Sequence, residues 1–179
     1  MTVKTAVKLN LGSRNRAIPG FSGMDCEAHP GVEFVGDVFD LSRFESDSVA
    51  EIYSSHILEH APHVRTLDVL REWNRVLEPG GILYVAVPDF RRTVELYAKC
   101  GLNDWVQNYL MGDQGYATAF HYALFDEPRM RGLLLKAGFS EASRVEEFPI
   151  GDRSDCSRNA STLDGKSVSL NFVAVKGAA

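Results

Sequence analysis

No stretch of this chain stays apolar for the roughly 18 residues that a membrane-spanning helix needs, and its first residues lack the continuous apolar centre of a secretory signal. A cytoplasmic location is the default that follows. Cysteine is scarce. Cys26, Cys100 and Cys156 are scattered, with no C-x-x-C spacing, which excludes a disulfide framework and a thiolate zinc site and predicts reduced, partly buried thiols. Basic charge is also short: 19 Lys and Arg stand against 24 Asp and Glu, a formal net charge of −5. The positive excess of sequence-independent nucleic-acid binding is missing, so a small molecule or a glycan is the partner to expect. Internal repeats and low-complexity tracts are absent as well.

What is present suits one soluble domain, since 179 residues at 45% hydrophobic content supply a real core but hardly two. Apolar runs alternate with helical patterns, the signature of an α/β protein with a mostly parallel sheet. Strands are predicted at 6–11, 21–25, 32–36, 49–54 and 81–87. Between the last two, Val64, Leu67, Leu70, Trp73, Val76 and Leu77 recur at helical spacing, and Glu78-Pro79-Gly80-Gly81 ends that helix. Beyond Pro88, helices at 91–100 and 103–111 and the polar stretch Gly112 to Thr118 read as a helical, lid-like insertion at about 90–125. Asp126 caps a further helix at about 127–137, closed by Gly138. Strands at 143–148 and 167–175, joined by the polar loop 151–166, are expected to form an antiparallel hairpin at one end of the sheet.

The strongest local signal is Val7-Lys8-Leu9-Asn10-Leu11-Gly12-Ser13, followed by Gly23-Met24-Asp25. An apolar strand stops at a glycine, which admits close backbone approach, and the next stops at an acid placed to accept ribose hydroxyls. A dinucleotide fingerprint would need G-x-G-x-x-G and an acid about 20 residues on. Here the turn reads Gly12-Ser13-Arg14-Asn15-Arg16 and the acid follows after thirteen residues, so pyrophosphate binding is not expected. S-adenosylmethionine asks less of the chain: a close approach at its aminoacyl end, an acid for the ribose and a polar group for the adenine.

These motifs, with Gly36-Asp37-Val38, Ser54-Ser55-His56-Ile57-Leu58-Glu59-His60, Arg75-Val76-Leu77-Glu78-Pro79-Gly80-Gly81 and Val87-Pro88-Asp89-Phe90, resemble the class I S-adenosylmethionine-dependent methyltransferases, most of all their compact type 11 members. The resemblance covers about residues 6–90. It implies a Rossmann-like fold with a mostly parallel seven-stranded sheet and a C-terminal antiparallel hairpin. It also implies S-adenosylmethionine as cofactor, with Leu11, Gly12 and Ser13 at its aminoacyl end, Asp25 at the ribose, Asp37 and the Val38 backbone at the adenine, and Ser55 and His56 completing the pocket. This chain departs from the family's G-x-G at Ser13-Arg14 and has a short first crossover.

Methyl transfer is a displacement at a sulfonium carbon, so the protein must position the acceptor, exclude water and at times take a proton. Candidate bases are His56 and His60 after the fourth strand, Asp89 after the fifth, and His121 in the insertion, which leads the group because imidazole titrates near the working pH. No metal is required by this reading. On a helical turn, however, His56, Glu59 and His60 would face one way, and with His121 they form an alternative metal set. The ubiquinone-pathway and small-RNA methyltransferases place a divalent ion on a similar E-x-x-E-H turn, and the histidine here favours a softer ion such as Zn²⁺, Mn²⁺ or Fe²⁺. Arg91 and Arg92 read either as anion holders or as solvated charges. Trp105, Tyr109, Phe120, Tyr122 and Phe125 read as pocket lining or as lid packing, Asp152 to Asp155 as a closing loop, and His29 and His63 as exposed.

The expected acceptor is a small polar molecule methylated at oxygen: a sugar, a glycan intermediate or a secondary metabolite. With its start just before the first strand, the chain is expected to cover the acceptor with the 90–125 insertion, with a partner, or hardly at all. The alternative from another class is a non-catalytic, methyltransferase-like partner subunit. A nucleotide-dependent oxidoreductase or epimerase is disfavoured, because no tyrosine is followed four residues on by lysine.

Overall fold

The computed structural model describes residues 7–150, 156–161 and 164–178. Seven strands form one sheet: β1 Val7–Leu11, β2 Ser22–Asp25, β3 Val32–Val35, β4 Val49–Ser55, β5 Leu77–Pro88, β6 Phe139–Val145 and β7 Ser169–Lys176. Their order is β3-β2-β1-β4-β5-β7-β6. The first five pair in parallel, and β7 runs antiparallel between β5 and β6. The Ile82–Val87 run of β5 is flanked on both sides and reads as continuous apolar sequence, as a strand buried on both faces should.

Helices α1 Thr66–Val76 and α4 Glu127–Lys136 pack together, with α4 laid on β6. With the sheet they bury Leu9, Met24, Ile52, Trp73, Leu83 and Phe172 in the main core. Alternate residues of the same strands face the other way: Tyr53 and Tyr84 meet Phe148 edge-on at 5.6 and 5.7 Å, beside Ile18.

The crossovers from β1 to β2, β2 to β3 and β3 to β4 carry no helix. Side chains of α1 take over part of a helix's work in the third of these. Trp73 donates through Nε1 to the Val38 carbonyl at 3.0 Å, and Arg75, held by Glu72, donates to the Leu41 and Phe44 carbonyls at 3.1 Å. Backbone acceptors that a helix would have satisfied internally are thereby paired. Helices α2 Phe90–Cys100 and α3 Asp104–Met111 follow β5 and have their own small core of Leu96, Val106 and Val168.

Several expectations need correction. The sixth strand lies at 139–145 rather than 143–148. The first long helix begins at Thr66, and Val64 is exposed. Glu78 to Gly81 lie within β5 rather than before it: the pairing jumps from Val49 with Leu77 to Glu51 with Ile82, so the expected turn, with Gly80 at φ +80°, is an irregularity near the start of the strand. Cys26 and Cys100 are exposed and only Cys156 is half-buried, all as free thiols. Residues 151–155, and with them the Asp152 to Asp155 loop, lie outside the described residues. No helix among the described residues is long and apolar enough to cross a membrane.

Candidate functional site at the carboxyl edge

Strand order reverses between β1 and β4, since the chain grows outward through β2 and β3 on one side and through β5 on the other. Open parallel sheets bind ligands in the crevice at such a switch point, outside the carboxyl ends of the strands. A cavity of about 30 Å³ lies there, lined among others by Leu11, Gly12, Ser13, Arg16, Tyr53 and Ser55. Its volume suits a water or a small polar group and not an adenosine. The hydroxyls of Ser13 and Ser55 are both buried and unpartnered among the described residues. Two orphaned donors on one small cavity are a fit to a polar guest. The backbone of the turn offers less, because the N–H groups of Gly12 and Ser13 both donate to the Met24 carbonyl, at 2.8 and 3.2 Å. Gly12 has φ +69°, and the side chain of Ile57 lies directly on its open face.

The two acids at strand ends differ sharply. Asp25 is 6% exposed, and its oxygens accept from Arg14 N–H at 2.9 Å and Glu27 N–H at 3.1 Å, so it ties the glycine turn to β2. Asp37 is exposed and accepts from Phe39 N–H at 2.9 Å in an Asx turn, with Oδ2 directed to no partner among the described residues. Val38 is buried and its carbonyl is held by Trp73. Overhead, the Arg14 guanidinium lies 4.8 Å from the Tyr116 ring and donates to its hydroxyl at 3.3 Å, which brings the 112–125 segment across the turn. Arg14 was noted in the sequence only as a departure from the glycine motif and Tyr116 not at all, and no spacing links them.

His56, Glu59, His60 and His121 come together, though not on one helical turn as expected. A 3₁₀ turn covers Leu58–His60 alone, and His56 precedes it at φ +55°, a left-handed conformation that redirects the chain after β4. His56 Nδ1 lies 3.3 Å from Glu59 Oε1, His121 Nε2 lies 4.0 Å from the same oxygen, and the His60 and His121 rings meet edge-on at 4.9 Å. Glu59 is fully buried, and neither carboxylate oxygen has a hydrogen-bond partner among the described residues. Burial pushes its pKa up, but the attraction of His56, then His60 and His121, outweighs this and holds it below the usual carboxylate range. Burial also pushes His121 below the usual imidazole value, against the opposing pull of Glu59. The backbone fixes the assembly: Tyr122 and Ala123 N–H both donate to the Glu59 carbonyl, at 2.8 and 3.2 Å.

Asp89 is committed elsewhere. It caps α2 through Arg92 N–H at 3.3 Å and accepts from Arg144 at 3.2 Å, so the free base expected there is a helix cap in an ion pair. Arg92 is neither an anion holder nor solvated, since it is buried against Asp164 and Glu95, whereas Arg91 is exposed. Trp105 and Tyr109 stack at 4.4 Å over the α2–α3 core and Phe125 joins the main core, which is packing; Phe120 lies beside the solvent-facing Tyr122. His63 is exposed, and His29 is half-buried beside Glu27.

Residues 20–85 match the family model described as a methyltransferase domain. No curated protein matches the chain in sequence. Among solved structures, the chain is similar to a SAM-dependent methyltransferase from Methanosarcina mazei, at 18% identity over 97% of this chain and 93% of that one, with a TM-score of 0.60. A SAM-dependent methyltransferase from Archaeoglobus fulgidus aligns at 11% identity over 97% and 87%, also at 0.60. The 1,6-didemethyltoxoflavin-N1-methyltransferase of Burkholderia thailandensis, solved with its substrate and S-adenosylhomocysteine, aligns at 17% identity over 96% and 71%, at 0.57. The segment matched by the family model runs from just before β2 into β5. Residues 20–85 thus match a methyltransferase-domain model, and the chain as a whole shares the fold of SAM-dependent methyltransferases.

Proposed function

We propose that this chain binds S-adenosylmethionine at the carboxyl edge and transfers its methyl group to an oxygen of a small polar acceptor, such as a sugar, a glycan intermediate or a secondary metabolite. The observation that carries the reading is a cavity with two orphaned hydroxyls at the β1/β4 switch point, with Asp25 at the end of neighbouring β2 and the imidazole–carboxylate cluster directly after β4. In this reading the Ser13 and Ser55 hydroxyls meet the aminoacyl end, Asp25 the ribose and the exposed Asp37 the adenine. Leu11, Gly12, Val38 and His56 shape the walls. When bound, the cofactor supplies a sulfonium methyl carbon. The chain's own part is to hold the acceptor oxygen in line, to keep water away, with the 90–125 segment as a lid tied down through Arg14 and Tyr116, and to receive the hydroxyl proton on the cluster of His56, Glu59, His60 and His121. Acceptor oxygen to methyl carbon is the bond formed, and the carbon–sulfur bond breaks.

The test is calorimetric titration with S-adenosylmethionine and S-adenosylhomocysteine, followed by a labelled-methyl transfer screen that starts with nucleotide-sugars. Asp37→Ala, at an exposed position, is expected to fold and to bind at least tenfold more weakly. Binding without transfer to any acceptor favours the partner-subunit reading, and absence of binding removes the methyltransferase reading.

A further inference from the structure

We infer that Glu59, His60 and His121 form a binding site for one divalent transition-metal ion of borderline softness, Zn²⁺, Mn²⁺ or Fe²⁺, with His56 orienting the carboxylate. One potential ligand atom from each of the three lies within 4.8 Å of the others, close enough that a small inward shift of these side chains would place them around one ion bound at about 2.0–2.2 Å. The carboxylate is the main argument. Glu59 is fully buried, both its oxygens lack a hydrogen-bond partner among the described residues, and every group turned towards it is an imidazole. A buried carboxylate without donors is unstable unless a cation joins it.

The imidazoles are arranged as metal-ligating histidines are. His60 Nδ1 lies 2.9 Å from the Phe120 carbonyl and His121 Nδ1 lies 3.1 Å from the Tyr109 carbonyl. A carbonyl only accepts, so in both rings Nδ1 carries the proton and Nε2 keeps a bare lone pair, the state a metal requires. His56 has a different part. Its Nε2 lies 2.7 Å from Ser169 Oγ, and that hydroxyl gives its own proton to the Cys156 carbonyl at 2.5 Å. Nε2 of His56 is therefore the donor, and the ring is pinned with Nδ1 against Glu59 Oε1. All three imidazoles are set by backbone carbonyls or by a hydroxyl anchored on one, before any ion arrives.

Two histidines and one carboxylate leave coordination positions open, as at sites where a metal takes substrate or water. Here the inference rests on the methyl-transfer reading: with an ion in place Glu59, His60 and His121 would be its ligands and no longer the base, and an acceptor hydroxyl at the open position would release its proton to solvent more readily, which favours acceptors with two adjacent oxygens that could share the ion. The metal site itself does not depend on that reading.

The test is metal content after purification with chelator, then titration with Zn²⁺ alone and with Co²⁺ alone, the latter for its visible absorption bands. About one ion per chain with micromolar or tighter affinity is expected, together with a raised melting temperature. Glu59→Gln removes the buried charge and is expected to fold in the absence of metal at least as well as the parent, while losing at least tenfold in affinity. His121→Gln should lose affinity likewise, and His63→Gln, at an exposed position outside the cluster, should not. Substoichiometric uptake by the parent chain, or uptake unchanged in folded Glu59→Gln, overturns the inference. Titration of the same samples with S-adenosylmethionine separates the two readings, since metal binding without cofactor binding would remove only the methyl-transfer proposal.

Discussion

Gly12 was expected to admit a ligand, yet its open face is filled by Ile57. An added Cβ would stand 2.6 Å from Ile57 Cγ1 and nearer still to Cδ1, at a backbone φ of +69°. Two separate costs follow for Gly12→Ala. Holding an L-residue in the left-handed region costs about 1–2 kcal/mol, and forcing the extra methyl against Ile57 costs about 1–3 kcal/mol, for a total of about 2–5 kcal/mol. Only the second depends on Ile57. Truncating that half-buried side chain alone should cost about 1–2 kcal/mol, at or below the low end of the range for buried aliphatics. The double variant Gly12→Ala/Ile57→Ala should therefore be more stable than the sum of the singles by about 1–3 kcal/mol, a coupling well beyond the additivity error of distant sites. Urea unfolding followed by circular dichroism measures all four proteins; similar slopes are required for the comparison. Additivity within about 0.5 kcal/mol would refute the contact. A Gly12→Ala protein of nearly parental stability that no longer bound S-adenosylhomocysteine would instead restore the ligand-approach role.

Asp164 is held well below the usual carboxylate range by Arg92 and Lys99. Because its folded pKa is depressed, its contribution is complete above pH of about 4 and shrinks progressively as pH falls from there through the folded value; Asp164→Asn should lower the urea midpoint most at pH 7 and by a steadily smaller amount below pH of about 4, whereas a loss that did not shrink on acidification would refute the ion pair. Asp89→Asn keeps a capping side chain but loses the Arg144 partner, so a loss of about 0.5–1 kcal/mol in urea titration is expected. If the chain transfers methyl groups, that variant should retain the turnover that a missing catalytic base would abolish. Trp73→Phe gives up the Nε1 bond to Val38 and part of a fully buried side chain, and should cost about 2–4 kcal/mol, read as a lower midpoint at constant slope.

Strands β1 to β5 were legible because each is a short run stopped by a glycine, an acid or a turn, helix α1 because its apolar residues recur at helical spacing, and α4 because Asp126 and Gly138 bound it. β6 was misplaced for a local reason. A bulge between Phe139 and Glu141 shifts its pairing with β7, so its buried residues fall at Phe139 and Ala142, three apart. Period two, on which strand reading depends, is broken there. Val145 to Phe148 looks more strand-like, but Phe148 leaves the ladder and packs on Tyr53 and Tyr84 from the opposite face. The missing helices in the first three crossovers were legible only as short intervals. Nothing local announced that Trp73 and Arg75 would supply their hydrogen bonds from 31 to 35 residues away.

The site divides along the same line, and its acids show why. Asp25, Asp89 and Glu59 all follow strands at the carboxyl edge, and sequence spacing ranked the first two above the third. What distinguishes them is the company each oxygen keeps. Arg14 N–H, eleven residues back, ties Asp25 to the glycine turn. Arg144, 55 residues on, joins the α2 cap in holding Asp89. Glu59 meets only imidazoles, one of them delivered from the far side of the insertion by the backbone bonds of Tyr122 and Ala123 to its own carbonyl. A carboxylate that accepts N–H donors already has the partners burial demands, whereas Glu59 has only imidazoles to offset the burial of its charge. The partners that distinguish these acids are non-local, so motif spacing places them at one edge while the surroundings of each are set by the fold.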